Sequence, residues 1–474
     1  MSIGSLLNTA RTAMNVHQTA IQIASQNVSN AETPGYSRQR AELTASVPQV
    51  FPYGSVGTGV TIATVTRARD AVLDTTYRQH AAGQSGADTT NQALAQIQTI
   101  FGEPSDTGLS STLDQFWSAW SDLASDPSNS AAKSVVVESG RTVAQTLNQF
   151  ASQLDQLDQN NREAMNADVN QINDIAQQVS KYNTQIVAAE STGNTANDLR
   201  DQRDVLLDKL AQLTGGQTIE RSNGSMAFYL GGRMLVDGAV YNSLTMNDGQ
   251  PPTVGFGGPS PVIDNIGGSL GAAIDVSSSV IPNVMSKLDS LAKGIVQTVN
   301  GLHSTGTVFS GTPPVASAAG NFFAVTNPPS ANDPRLTARG MRLDPTLSSA
   351  TVAASGAGAT GPGDNSVALA LSQLNTTTVN FTDANGNPFA TSSIGGFYTD
   401  TVGAVATAAQ HAQDVSTAEQ TLATNADTQR QSVSGVNTDE ELISIIQHQQ
   451  AYQAAARIVT VVQDMTDTLV HLGL

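Results

Sequence analysis

From Ile3 the chain places Ile3, Leu7, Ala10, Met14, His17, Ile21, Ala24 and Val28 at alternating steps of four and three. Near the other end Leu442, Ile445, Gln449, Tyr452, Ala456 and Val459 keep the same rhythm, which drifts on through Val462, Met465, Leu469 and Leu472. Such spacing lays one apolar seam along a helix, suited to packing on another helix. Arg11 is the only charge between Met1 and Ala31, and Arg457 the only one between Leu442 and Gln463. Two such seams at opposite ends of the chain predict termini that meet each other or identical neighbours. That is the pattern of an assembling subunit, and Ile3, Leu7, Met14, Ile21, Val28, Leu442, Ile445, Tyr452, Ala456, Val459 and Leu469 are its expected assembly residues.

The first helix should end near Asn30, because Pro34-Gly35 is a turn signal and the residue before proline is pushed out of helical geometry. From Ser37 to Arg67 the prolines and glycines predict extended chain or a hairpin, with Val60, Ile62 and Val65 as strand material. Helical periodicity returns from Asp70 to Phe101 and from Leu109 to Ala124, where Leu113, Phe116, Trp117, Trp120 and Leu123 share a core-facing side. The longest periodic run, Ala131 to Ala189, would be a rod of roughly 85 Å if unbroken. Thr192-Gly193-Asn194 ends it, and Asn197 to Leu213 gives one more helix, closed by Gly215-Gly216.

The grammar then changes. From Gln217 to Ser393, short alternating runs lie between turns such as Asn223-Gly224 and Asp237-Gly238, which predicts β structure. One helix, Pro282 to Leu302, interrupts it. Helical sequence resumes from Phe397 to Gln431, and a last helix follows Gly435, with Thr438 and Glu441 spaced as a capping box. The fold class is therefore α+β and multidomain. Residues 1–40 with 432–474 form a terminal coiled-coil domain, 41–213 with 396–431 a helical bundle, and 214–395 a β-rich insert.

Composition narrows the function. Basic residues number 22 and acidic 40, a formal charge of −18, which argues against nucleic acid, where clustered Lys and Arg meet phosphates. Only 13 % of residues are charged, so surfaces of uncharged polar groups can pack on copies of themselves with little desolvation cost. The chain has no cysteine, which removes disulfides and thiolate metal sites. No apolar run approaches the ~18 residues of a membrane span, and no secretory signal peptide is evident.

Candidate chemistry is sparse. Gly267-Gly268-Ser269-Leu270-Gly271 has the G-x-S-x-G form of a nucleophile elbow, but no oxyanion-hole sequence accompanies it and a turn before a helix explains it as well. Gly356 to Gly361 matches G-x-G-x-x-G without a preceding strand. Asp383-Ala384-Asn385-Gly386-Asn387 approximates a calcium loop but lacks its closing Glu and reads as a hairpin turn. His17 and His448 both fall in the terminal seams, where a polar group can fix register. No cofactor or metal is expected.

The run Ile23-Ala24-Ser25-Gln26-Asn27-Val28-Ser29-Asn30-Ala31-Glu32-Thr33-Pro34-Gly35-Tyr36 resembles the N-terminal signature of bacterial flagellar rod, hook and hook-associated axial proteins. Asn27, Asn30, Thr33, Pro34, Gly35 and Tyr36 carry the match. Gly435 to Leu472, with Gln449-Gln450-Ala451-Tyr452-Gln453, resembles the terminal helix of the same family. Asn197 to Asp204, Gly268 to Ala272, and Asn300-Gly301-Leu302-His303 through Asn321-Phe322-Phe323 resemble its hook–filament junction members. The resemblance implies a non-enzymatic structural subunit that joins hook to filament. Its implied partners are identical subunits in a ring, the hook protein, the next junction protein toward the filament, and an export chaperone holding the C-terminal helix. It further implies type III export without a cleaved signal peptide, a place outside the cell, termini that stay unfolded until assembly, and no membrane insertion. The hook protein or another axial subunit is the alternative, and a secreted hydrolase using Ser269 a remote one.

Overall fold

The two ends of the chain lie side by side. The computed structural model describes residues 3–51, 54–191, 193–257, 262–325, 333–383 and 386–473; Thr192 of the predicted break and Ala384-Asn385 of the calcium-like turn fall outside them. Helix α1 (Ile3–Ser29) packs along α10 (Thr438–Leu472), and the pairs His17–His448 and Asn27–Glu441 make the two antiparallel. A ribbon of β1 (Gln39–Ala45) and β4 (Val60–Arg67), tipped by the short hairpin β2 (Gln49–Phe51) and β3 (Gly54–Val56), rises from the end of α1.

The body is built on α2 (Ala71–Phe101), α3 (Leu109–Ser125), α4 (Ser130–Glu190) and α5 (Asn197–Thr214), closed by α9 (Ile394–Ser434), which lies along α2. At 61 residues, α4 is about 90 Å long. The side chain of Asn129 accepts hydrogen bonds from the N–H groups of Ala131 and Ala132 and caps its start, satisfying two otherwise orphaned donors.

The apolar packing does not divide at residues 213 and 395. One core joins α3, the first half of α4 to Leu157 and α9 with residues from the expected insert, including Phe322, Phe323 and Phe381. A second core joins Met165–Val179 of α4 and Leu207–Leu213 of α5 with strands of the insert. α4 thus runs through both cores, because its apolar stripe is too long for one partner to cover. Its asparagines do the same for backbone. Asn148, Asn161, Asn173 and Asn183 each donate to carbonyls of the segment between Met226 and Met341, at 2.6–3.2 Å.

The insert holds several small antiparallel sheets. β5 (Gln217–Glu220), β6 (Met226–Leu230), β7 (Arg233–Asp237) and β8 (Val240–Tyr241) form a four-stranded meander. β9 (Leu244–Asn247) with β10 (Thr253–Phe256), β11 (Thr307–Ser310) with β12 (Val315–Ala318), and β13 (Val379–Thr382) with β14 (Pro388–Ser392) are two-stranded. Its helix is longer than the periodicity predicts. α6 (Gly268–Asp275) continues through a π-turn at Val276–Val280 into α7 (Ile281–His303). Pro282 marks a local interruption rather than the start, since a π-turn already breaks the regular bond ladder there. A short helix, α8 (Ser366–Ser372), packs on α3.

The Asn-x-x-His…Phe-Phe stretch has a structural cause. Asn300 Oδ1 accepts the N–H groups of Phe322 (2.9 Å) and Phe323 (2.8 Å), while its amide donates to the Phe323 carbonyl (2.9 Å). His303 donates from Nδ1 to the Gly320 carbonyl (2.8 Å) and accepts the Ala353 N–H at Nε2 (3.1 Å). That arrangement needs a neutral ring, and burial pushes its pKa down. Phe322 and Phe323 are thereby set against Phe116 and, for Phe322, Trp120.

Candidate functional site: the paired termini and their joint

The seam between α1 and α10 is narrower than the apolar stripe. On α1 the fully buried residues are Ala10, Val16, Ala20, Ala24 and Asn27; on α10 they are Glu441, Ala455 and Val462. Small side chains let two helices approach closely, and the larger ones are left to straddle the contact. Ile3, Met14, Ile21, Val28, Ile445, Tyr452, Ala456 and Val459 are half-buried along its margins. Leu7, Leu442 and Leu469, expected in the seam, are instead 41, 49 and 55 % exposed. With Ile443, Ile446, Ile458, Val461 and Met465 they leave α10 with a broad uncovered apolar surface.

Midway along the seam lies a polar pair, His17 Nδ1 and His448 Nδ1 at 3.1 Å. One ring must donate and the other accept, which fixes the register of the two helices while at least one imidazole is neutral. Burial and the neighbouring His448 both push the pKa of His17 down.

The signature residues form the joint at the base of this pair. Thr33-Pro34-Gly35-Tyr36 is a turn closed by Tyr36 N–H to the Thr33 carbonyl (3.1 Å), with Gly35 at φ +80°. Proline second and glycine third is the composition a type II turn requires. A Cβ on Gly35 would also lie 2.1 Å from Val205 Cγ2 of α5, so glycine is needed for the close approach as well. Thr33 Oγ1 donates to Asn30 Oδ1 (3.2 Å), and Asn30 Nδ2 donates back to the Gln26 carbonyl (3.0 Å).

Asn27 is fully buried and uses its whole hydrogen-bonding capacity. Its amide donates to the Gln39 carbonyl (2.9 Å) and Glu441 Oε2 (3.0 Å), and its oxygen accepts from Tyr36 Oη (2.8 Å) and Gln39 N–H (3.0 Å). One side chain therefore ties α1, the turn, β1 and α10 together. Burial, then Asp198, Asp201 and Glu441, push the Tyr36 hydroxyl up to about 12, so it remains a donor. Glu441 does not close a capping box. Asn437 caps α10, accepting from the Asp439 and Glu440 N–H groups, and Glu441, 3 % exposed, takes Asn27 and Arg38 Nε (2.5 Å) instead. Sequence reasoning missed this role because Thr438-x-x-Glu441 has the spacing of a local cap.

The other candidate sites resolve into packing. Ser269 Oγ donates to Asp168 Oδ2 (3.2 Å); burial raises that carboxyl's pKa against the hydrogen bond and Lys209. This bond ties the start of α6 to α4. Gly268 and Gly271 press on the Gln212 and Ile266 carbonyls, where a Cβ would sit at 2.3 and 2.0 Å. The Gly356–Gly361 stretch is a turn fastened by Gly356 N–H to Asp364 Oδ1 (2.7 Å). Among the described residues no three His, Asp or Glu gather as a metal site, and no helix is long and apolar enough to cross a membrane.

Comparison with known proteins agrees with this geometry at both ends and in the middle. The family "Flagella basal body rod protein" matches residues 7–36, "Flagellar hook-associated protein FlgK helical domain" residues 94–323, and "Flagellar basal body rod FlgEFG protein C-terminal" residues 428–472. The flagellar hook-associated protein 1 of Bacillus subtilis is 29 % identical over 98 % of this chain and 97 % of its own length. Its Escherichia coli counterpart is 26 % identical over 69 % of this chain and 61 % of its own length. The flagellar hook junction protein FlgK of Burkholderia pseudomallei shares the fold, with a TM-score of 0.65 at 18 % identity, covering 76 % of this chain and all of that one. A signature turn that locks the two termini together, a helical body matched by the hook-associated helical-domain family and a relative aligned end to end point the same way: the chain is similar to flagellar hook-associated protein 1 over nearly its whole length.

Proposed function

We infer that the chain is a structural subunit of the bacterial flagellum that joins hook to filament. The observation that carries this reading is the pairing of α1 with α10 by a narrow alanine seam, which leaves the larger aliphatic residues of α10 uncovered. An exposed apolar surface of that kind marks an interaction site, and a nearly charge-free one suits contact between copies that each carry −18. Its neighbours are identical subunits in a ring, flanked by the hook protein and by the next junction protein toward the filament. An export chaperone shields the C-terminal helix before type III export, and the subunit works outside the cell. Packing is the activity, and no residue is assigned a catalytic role.

Deletion of the gene, followed by electron microscopy and an assay for flagellin in the medium, tests the reading. Complete hooks without filaments, with flagellin lost to the medium, are expected. Absent hooks would reassign the chain to the hook or rod, and normal flagella would overturn the inference. The hook-protein alternative is disfavoured by the match of residues 94–323 to the hook-associated helical domain. Ile21→Asp or Val459→Asp should leave the body folded and abolish incorporation.

A further inference from the structure

Five of the chain's 22 basic residues line one cleft. It measures about 390 Å³, and Arg67 of β4, Arg69 just beyond it, Arg78 of α2 and Arg200 and Arg203 of α5 share its wall with Asp74, Asp204 and Glu220. Four of these arginines have a carboxylate within hydrogen-bond distance. Arg67 donates to Asp204 (2.9 Å) and to Asp201 (2.7 Å), which also accepts the N–H (2.9 Å) and Oγ (2.7 Å) of Ser37. Arg69 grips Asp74 (2.8 and 2.9 Å), Arg78 meets Asp208 (2.6 Å), and Arg200 reaches Glu190 (2.6 and 2.7 Å) and Glu220 (2.7 Å).

Arg203 differs. Its side chain is 1 % exposed, and its Nη1 donates to Asn183 Oδ1 (3.1 Å) and the Gly224 carbonyl (2.7 Å), both uncharged. Nε is buried without a hydrogen-bond partner, and Nη2 makes no bond to a described residue. Asp204 Oδ1 stands off at 3.9 Å from this Nε and at 4.0 Å from Arg78 Nη2. Buried charges are ordinarily paired with opposite charge at close range. Burial pushes the Arg203 pKa down to about 10; Asp204 and Glu220 pull it up, and Arg200 and Arg67 press it further down. The Nε–Nη2 edge is a side from which a guanidinium can hold an oxyanion with two parallel bonds. Asn183, whose own amide is fixed to the carbonyls of Met226 and Gly238, anchors the other end of the fork, so this edge is already oriented.

We propose that this cleft binds one small inorganic oxyanion, of the phosphate or sulfate class, on Arg203 and Arg78. The two guanidinium groups approach the same point beside Asp204 Oδ1 from different helices, so the anion supplies Arg203 with a counter-charge and ties α2 to α5. Asp204 turns its other oxygen to Arg67 (2.9 Å) and Arg69 (3.7 Å), which meet its charge. Guanidinium groups are planar, weakly hydrated and matched to oxyanion geometry. Arg78 and Arg203 belong to helices of the body, so the site depends neither on the order of the terminal helices nor on the assembly reading.

Calorimetric titration of the full-length protein with sodium phosphate and with sodium sulfate tests the site, with sodium chloride at matched ionic strength as the control. Saturable binding of one anion is expected, with a dissociation constant below roughly 1 mM. The thermal midpoint should rise with either oxyanion beyond the change that chloride gives, because a ligand of the folded chain stabilises it by mass action. Arg203→Lys keeps the charge but loses the fork, and should weaken binding by roughly tenfold or more. Heats and midpoints no different from those in chloride overturn the proposal, as does unchanged affinity in Arg203→Lys. If that variant does not fold, selenate decides on the unsubstituted chain. Its anomalous diffraction signal is expected beside Arg203 and Arg78, and a crystal soaked in selenate with no such signal there overturns the proposal.

Discussion

The body and the terminal pair are both made of long helices, yet they are held together by opposite means. In the body, Phe101, Phe116, Trp117, Trp120, Phe150, Phe322, Phe323 and Tyr398 interlock within one continuous core. In the pair, alanines and two valines make the closest contact, and the leucines and isoleucines of α10 other than the half-buried Ile445 turn outward. Burial of apolar area is worth about 25 cal/mol per Å², so the body carries its own stability. A two-helix pair that buries mostly methyl groups does not, since isolated helices depend on packing for most of their stability. The body carries its own core, and the apolar surface that the terminal pair leaves open is the one the proposed assembly would cover.

The strongest challenge to this contrast is Trp120→Ala. The side chain is wholly buried among Phe116, Phe322 and His303, and its loss should cost about 3–5 kcal/mol, read from urea unfolding. A cost no greater than that of a surface change would refute the claim that this core stabilises the body.

Gly35→Ala should come next. Left-handed backbone costs a residue with a Cβ roughly 1–2 kcal/mol, and the methyl would also strike Val205. Adding Val205→Ala should relieve the collision but not the backbone strain, so a double-mutant cycle will show partial recovery. Full independence of the two changes would mean that the turn does not press on α5.

Acid should loosen both regions. His303 is buried and neutral, with its pKa pushed down chiefly by burial, and His17 is pushed down by burial and then by His448. An unfolded imidazole titrates near ~6.5, so below that pH the unfolded chain binds more protons and stability declines toward the folded values. The thermal midpoint is therefore expected to hold steady above neutral pH and to fall through the mildly acidic range. His303→Gln should flatten the slope of the body, and His448→Gln should preserve hydrogen-exchange protection of the terminal helices. Parallel behaviour of these variants and the unsubstituted chain would show that other groups control the transition.

The smallest effect on stability is expected from Leu442→Asp and Leu469→Asp. Both positions are exposed, so the isolated chain should change by no more than about 0.5 kcal/mol, while incorporation into flagella is lost. A large drop in stability would place these leucines in the fold of the chain rather than on its assembly face.

Much of the helical framework was legible from periodicity. The run Ala131–Ala189 lies within Ser130–Glu190, and Leu109–Ala124 within Leu109–Ser125. Repeating apolar positions report helices directly, whatever they pack against. The helix assigned to Pro282–Leu302 begins at Gly268, because a π-turn shifts the phase of the pattern. The roles of Glu441, read as a local cap, and of Asp201, read only within a family segment, were not legible for another reason. Each makes its decisive bond to a residue more than 150 positions away, and no local rule points that far.

The sequence by itself determined the helices at both ends, the proline–glycine turn after the first, and the want of charge along the first helix and from Leu442 to Gln463 of the last. These follow from neighbours within a few residues, where backbone geometry and period act. Only the tertiary structure decided which edge of each apolar stripe is buried, that one long helix serves two cores, and that carboxylates of distant helices hold the signature turn. A stripe of larger side chains is wider than the contact two close-packed helices can make. Which part of it is covered depends on how near the partner comes, and that distance is set by the fold as a whole.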